Sequence, residues 1–155
     1  MGFQKKDKNR KPWLARPNYY QGILQLRDVN PKVLEFVHAQ LEKREDVVIT
    51  RTVKHSNGVD LYITSHSFLK SLGKKLRESF GGELKTSAKL HTRNKQGKDL
   101  FRVNVLYRPS KYRHGDIVNI RGDDIRLISI GSKIFGKEVK TGRRVTIRSS
   151  DLPRD

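Results

Sequence analysis

Apolar residues recur along this chain with two periods, one of two residues and one of three to four, and the switches between them lay out its elements. From Tyr19 to Arg27 the pattern alternates. Tyr20, Leu24 and Leu26 share one face and Gln21, Gln25 and Arg27 the other, which predicts a strand with the first set on the core side. Asn30 is a natural N-cap and Pro31 suits the first helical position. Leu34, Val37 and Leu41 then form one helical stripe, with Glu35, Glu42 and Lys43 turned to water. Val47 to Lys54 is β-branched and leads into Asn57-Gly58, a pair suited to a tight turn, after which Val59, Leu61 and Ile63 alternate; a hairpin is expected. Ser65 or Ser67 caps a second helix carrying Leu69, Leu72, Leu76 and Phe80 and ended by Gly81-Gly82. Two more strands flank the polar turn Asn94 to Gly97: Leu84, Thr86, Ala88 and Leu90 on one side, Phe101, Val103, Val105 and Tyr107 on the other.

The order βαββαββ predicts an α+β two-layer domain over residues 19–108, a mixed or antiparallel sheet with both helices on one face. The other face is then open. Arg102 and Asn104 alternate against Phe101, Val103 and Val105, while Lys85 and Lys89 alternate against Thr86, Ala88 and Leu90. These cations are therefore expected on the open face, in a patch continuous with Arg108. Beyond Pro109-Ser110 come short apolar strands, Ile117 to Ile120, Ile125 to Ile130, Ile134-Phe135 and Val145 to Ile147, with Gly122, Gly131, Gly136 and Gly142 expected at the corners. Residues 112–155 thus read as a small SH3/OB-like β-barrel. Residues 1–18 hold too little apolar content to fold alone and read as a basic flexible arm. A solubilising tail is the plainer alternative. Trp13 beside Pro12 stands against it, because an exposed Trp is unusual unless it docks or stacks.

Charge narrows the class of partner. The 155 residues carry 34 Lys+Arg against 16 Asp+Glu, a formal net charge of +18, which costs self-repulsion unless a polyanion offsets it. Cysteine is absent, which excludes disulfides and thiolate chemistry and fits a reducing, cytoplasmic setting. Apolar runs such as Val47-Val48-Ile49 fall far short of the roughly 20 residues that span a bilayer, and the basic N-terminus lacks the apolar segment of a secretory signal. No membrane partner is expected.

Catalysis finds little support. His38, His55, His66, His91 and His114 are scattered with no metal-ligand spacing, so no metal and no cofactor are expected. Asp123-Asp124 sits where a glycine-bounded barrel corner is expected, ordinary turn chemistry, and Gly81-Gly82 is a helix end rather than a phosphate loop. The chain reads as a binder, not an enzyme. Its cations cluster instead: Lys5, Lys6, Arg10, Lys11 and Arg16 in the arm; Lys70, Lys74 and Lys75 on the second helix; and Lys85, Lys89, Arg93, Arg102, Arg108, Lys111 and Arg113 from the following hairpin towards the barrel. A solvated face is the usual reading of such a run, but few acids interleave here, and with the net charge the set points to RNA phosphates. Trp13, Tyr19, Tyr20 and Tyr112 are candidates for stacking on unpaired bases, although Tyr20 and Tyr107 lie on faces expected in the core.

Four segments carry a resemblance. Arg16 to Arg27, RPNYYQGILQLR, resembles the YYEAILQLR stretch of the Nmd-three family of large-subunit export adaptors. Tyr62 to Leu76, YITSHSFLKSLGKKL, and Phe80 to Leu90, FGGELKTSAKL, are similar to later stretches of that family, and Gly97 to Arg108, GKDLFRVNVLYR, looks like its closing strand. The resemblance covers roughly residues 16 to 130. It implies a domain similar to a ribosomal protein, succeeded by one similar to the hypusine-bearing translation factor. It further implies that the pair binds large-subunit rRNA and ribosomal proteins along the tRNA sites near the L1 stalk, as an assembly or anti-association factor that is monomeric off the ribosome. A stand-alone ribosomal protein and a ribosome hibernation factor are the alternatives. These 155 residues contain neither the family's CxxC zinc ribbons nor its leucine-rich export signal, so zinc and nuclear export are not expected to carry over. An archaeal-type core, or an offshoot completed by a separate zinc-ribbon protein, is expected.

The charge yields a first test. About five phosphate contacts, each releasing condensed counterions, give RNA affinity a log–log slope against salt near −4 or steeper. A slope shallower than about −2 in a salt titration contradicts the electrostatic reading.

Overall fold

The computed structural model describes residues 19–93, 95–97 and 99–153. Strand β1 (Gly22–Arg27) leads to helix α1 (Pro31–Glu42), the hairpin β2 (Ile49–His55) and β3 (Gly58–Ile63), helix α2 (His66–Phe80), and a second hairpin, β4 (Glu83–Arg93) and β5 (Asp99–Arg108). The five strands form one sheet in the order β2-β3-β1-β5-β4. Every neighbouring pair is antiparallel except β1 with β5, which run parallel, so the sheet is mixed.

Local chemistry sets the helix ends. The Asn30 side chain accepts a hydrogen bond from the Val33 amide at 3.1 Å, ahead of Pro31 at the start of α1. Ser65, rather than Ser67, caps α2 by accepting from the Phe68 amide at 3.2 Å, and Gly81 ends the helix with φ +67°. In α1 it is Val33, with Val37 and Leu41, that is fully buried, and Leu34 packs at the margin.

Register decides where the core lies. Leu24 sits opposite Leu61 on one side and Val105 on the other, and Leu26 opposite Val59 and Tyr107, so their side chains share one face. That face joins the buried residues of both helices, Val33, Val37 and Leu41 of α1 and Leu69, Leu72 and Leu76 of α2, in a single cluster. Gly73 lets α2 lie close, because a Cβ there would stand 2.9 Å from Val105. The helices do not cover the whole face. Leu84 is half-buried, but Thr86, Ala88 and Leu90 on β4 are exposed, as is Phe101 on β5, because this hairpin runs past the start of α2.

Two expectations about glycine are corrected. The β2–β3 turn is Ser56-Asn57, with Gly58 already paired to His55, and a Cβ at Gly58 would collide with the Leu26 carbonyl of the adjacent strand. The glycine serves close strand approach there, not the turn. Gly136 is likewise no corner but the middle of a strand, where the Ile125 side chain packs over it.

That strand belongs to a second sheet. Strands β6 (Ile117–Ile120), β7 (Asp123–Ser129), β8 (Ile134–Glu138) and β9 (Arg144–Ile147) form an antiparallel meander in chain order. The outermost strands contribute Val118 and Ile147 to the same buried cluster as Ile125, Leu127 and Ile134. The sheet therefore curls into a barrel-like unit, although β6 and β9 are not ladder partners. Asp123 and Asp124 begin β7 rather than forming the corner, which is Arg121-Gly122, both at positive φ.

Tyr107 fastens the end of α2 to the first sheet. Its hydroxyl donates to the carbonyl of Gly81 at 2.7 Å, with that of Leu76 at 3.3 Å, and burial holds the phenol well above its ordinary range, so it stays a donor. Tyr107→Phe keeps the packing and removes the bond, and lowers stability by about 1–2 kcal/mol. The urea midpoint falls accordingly, with an unchanged denaturant slope.

Candidate nucleic-acid interface

Alternation sorts the candidate cations onto two opposite surfaces. On β5 the buried residues are Val103, Val105 and Tyr107, so Arg102, Asn104, Leu106 and Arg108 point to the other face of the sheet. Lys89 lies opposite Arg102, Ser87 opposite Asn104 and Lys85 opposite Leu106, which puts both lysines on that open face. Gln25 and Ile23 of β1, Asp60 and Tyr62 of β3 and Arg51, Val53 and His55 of β2 complete it by the same register. Lys70, Lys74 and Lys75 instead occupy the exposed side of α2, behind the sheet. One flat RNA surface cannot meet both sets together.

Acids divide the open face. At one end Asp60 forms an ion pair with Arg27 at 2.8 Å and lies 2.9 Å from His55, with both Asp60 and Arg27 largely buried. Lys85 pairs with Glu83 at 3.0 Å and Arg108 with Asp28 at 3.2 Å, exposed contacts that restrain the side chains weakly. At the other end the charges are not neutralised. Arg51, Lys89 and Arg102 make no ion pair among the described residues. On α2, Lys75 reaches the Gln40 amide oxygen at 3.4 Å, while Lys70 and Lys74 are exposed.

Aromatic residues gather at the unneutralised end. The Arg102 guanidinium lies 3.8 Å from the Tyr20 ring centre, Tyr20 meets Tyr62 edge-on at 4.8 Å, and Arg51 stands 5.3 Å over Tyr62. Tyr20 is thus corrected from the core face to the open one. It precedes β1, which begins only at Gly22, so strand alternation does not govern its side chain. Tyr62 and Arg51 were not among the sequence candidates; their positions opposite Ile23 and Tyr62 appear only once the strands are paired.

The other candidates disperse. Tyr19 lines a groove shared by Tyr20 and Arg102 with His66, Lys70 and Phe101, and its hydroxyl accepts from the Gln21 side chain. Tyr112 packs against the second core and its hydroxyl donates to the Pro153 carbonyl, which makes it a structural ring. Arg93 lies near the tip of the β4–β5 hairpin, and Lys111 and Arg113 are exposed between the two sheets. Lys5, Lys6, Arg10, Lys11, Trp13 and Arg16 fall outside the described residues. No cluster of three or more histidines and carboxylates able to hold a metal occurs among the described residues, nor any helix long and apolar enough to cross a membrane.

Compared with known families, the chain matches the family model for NMD3, second domain, over residues 19–108, more than half of its length. The chain belongs to the NMD3 family. None of the curated proteins matches it. NMD3 membership connects the chain with the large ribosomal subunit and its biogenesis in general terms. Within the matched segment lie the whole five-stranded sheet, both helices and the aromatic row.

The two surfaces can be told apart. Reversing Lys85, Lys89 and Arg102 to Glu lowers large-subunit binding at least about tenfold, or roughly 1.4 kcal/mol, with an unchanged circular dichroism melt. Reversing Lys70, Lys74 and Lys75 is the matched comparison. If the open-face variant co-sediments like its parent at near-physiological salt, the α2 surface is the RNA-facing one.

Proposed function

We propose that this chain is a non-catalytic binder of large-subunit rRNA that occupies the tRNA sites near the L1 stalk, as an assembly or anti-association factor in the cytoplasm. The observation that carries this reading is the end of the open sheet face where Arg51, Arg102 and Lys89 stand without carboxylate partners among the described residues. A folded protein ordinarily intersperses acids among such cations, and the face does so at its Asp60 end. An unneutralised patch on a chain of net charge +18 is complementary to a polyanion, and NMD3 membership makes rRNA of the large subunit the polyanion of choice.

On this reading the protein works by occupancy. Phosphate contacts fix its position, and its bulk excludes ligands of the same rRNA surface. It acts as a monomer off the ribosome, and a separate zinc-ribbon protein completes it where the family carries ribbons in the same chain. The barrel-like unit, placed after residue 112, extends the contact along the subunit. An archaeal-type arrangement of the family's core domains accounts for this organisation.

Gradient fractionation of cell extract tests the proposal. The protein is expected with precursor or free large subunits and absent from translating ribosomes. Its recovery throughout translating ribosomes identifies a permanent ribosomal protein instead, and its appearance mainly on idle ribosomes identifies a hibernation factor.

A further inference from the structure

The row Arg51–Tyr62–Tyr20–Arg102 is not explained by folding. Neither tyrosine belongs to the apolar core, which lies on the opposite face, and both rings are only half-buried. No helix among the described residues covers the face they occupy. Arg102 is held against Tyr20 at 3.8 Å, yet its buried Nε has no hydrogen-bond partner among the described residues. Ring contact rather than hydrogen bonding thus keeps the guanidinium in place among the described residues. Lys89 beside Arg102 adds a further cation.

Two aromatic rings between two arginines that make no ion pair among the described residues match the chemistry of an unpaired nucleotide. A base offers a flat π-face to tyrosine rings or guanidinium planes, and its phosphates meet the flanking cations. A duplex offers no such face, because its bases are stacked on one another. We propose that this row is a stacking site for one or two unpaired bases of single-stranded RNA, with Tyr20 and Tyr62 as platforms and Arg51, Arg102 and Lys89 on the adjoining phosphates. The proposal rests on the rRNA-binding reading and specifies it: the open face takes a loop or bulge rather than the backbone of a helix.

The test compares two short oligomers on the full chain by fluorescence anisotropy: a labelled ribo-hexa-adenylate and an abasic sugar–phosphate hexamer of equal charge. The parent protein is expected to prefer the base-bearing oligomer by about tenfold, since stacking is what separates the two. Replacing both Tyr20 and Tyr62 with Leu brings that preference close to one while leaving affinity for the abasic oligomer within about twofold, the sign of an intact fold and charge. The pair of Tyr→Phe substitutions at the same positions keeps the preference. Equal binding of both oligomers by the parent overturns the stacking site and leaves the electrostatic reading standing, as does an undiminished preference in the folded Leu variant. Failure of the parent to bind either oligomer at low salt overturns both readings. Because the parent alone can refute the proposal, a Leu variant that does not fold leaves it decidable.

Discussion

The parallel pairing of β1 with β5 at the centre of the sheet is the constraint on which the rest depends. Parallel neighbours cannot be joined by a tight turn, so the chain must leave the sheet and return to it, and here it does so twice through helices. Both helices lie on the same side. Leu24, Leu26, Leu61, Ile63, Val103, Val105 and Tyr107, of one parity on β1, β3 and β5, are thereby committed to the core, and residues of the other parity to a face with no helix over it among the described residues. Gly22, Gly58 and Gly73 stand where strand meets strand or helix meets sheet, at spacings that admit no Cβ without displacement.

A face with no helix over it among the described residues can carry side chains that the core does not need. Near the end of β1 it is self-neutralised, since Asp60 lies between Arg27 and His55. Near the start of β1 it combines rings with unopposed guanidinium groups. The contrast is one of desolvation. A partly buried ion pair has already exchanged water for its counter-charge, whereas an arginine resting on a ring keeps its charge available and gives up only some hydration. The sheet thus holds its settled charges at one end and its available ones at the other.

Much of this is legible from the chain alone because period carries it. The βαββαββ order, the Asn30 and Gly81 helix ends, the strand Ile117–Ile120 and the outward orientation of Lys85, Lys89 and Arg102 all come from local spacing. What spacing misses is partnership. Gly58 and Gly136 look like turn residues in isolation, yet each is needed because of an atom far away in sequence, the Leu26 carbonyl and the Ile125 side chain. Tyr20 fails for a related reason, since it sits two residues before the ladder that would fix its parity. Tyr62 is a neutral strand residue by sequence, and only the pairing of β3 with β1 brings it beside Tyr20.

Strand β4 gives the lysines a second meaning. It is an outer strand of eleven residues, Glu83–Arg93, and its free side presents a row of backbone donors and acceptors with nothing alongside among the described residues. Leu90 and Phe101, each half exposed, lie near it. Such a margin invites a strand from another copy of the chain to add itself, the first step of self-association. Lys85, Lys89 and Arg93 are spaced along it, so a second copy arriving edge to edge brings the same positive charges against them. On the function proposed above, the cations that would meet a polyanion also stand against the addition of a second copy at this edge.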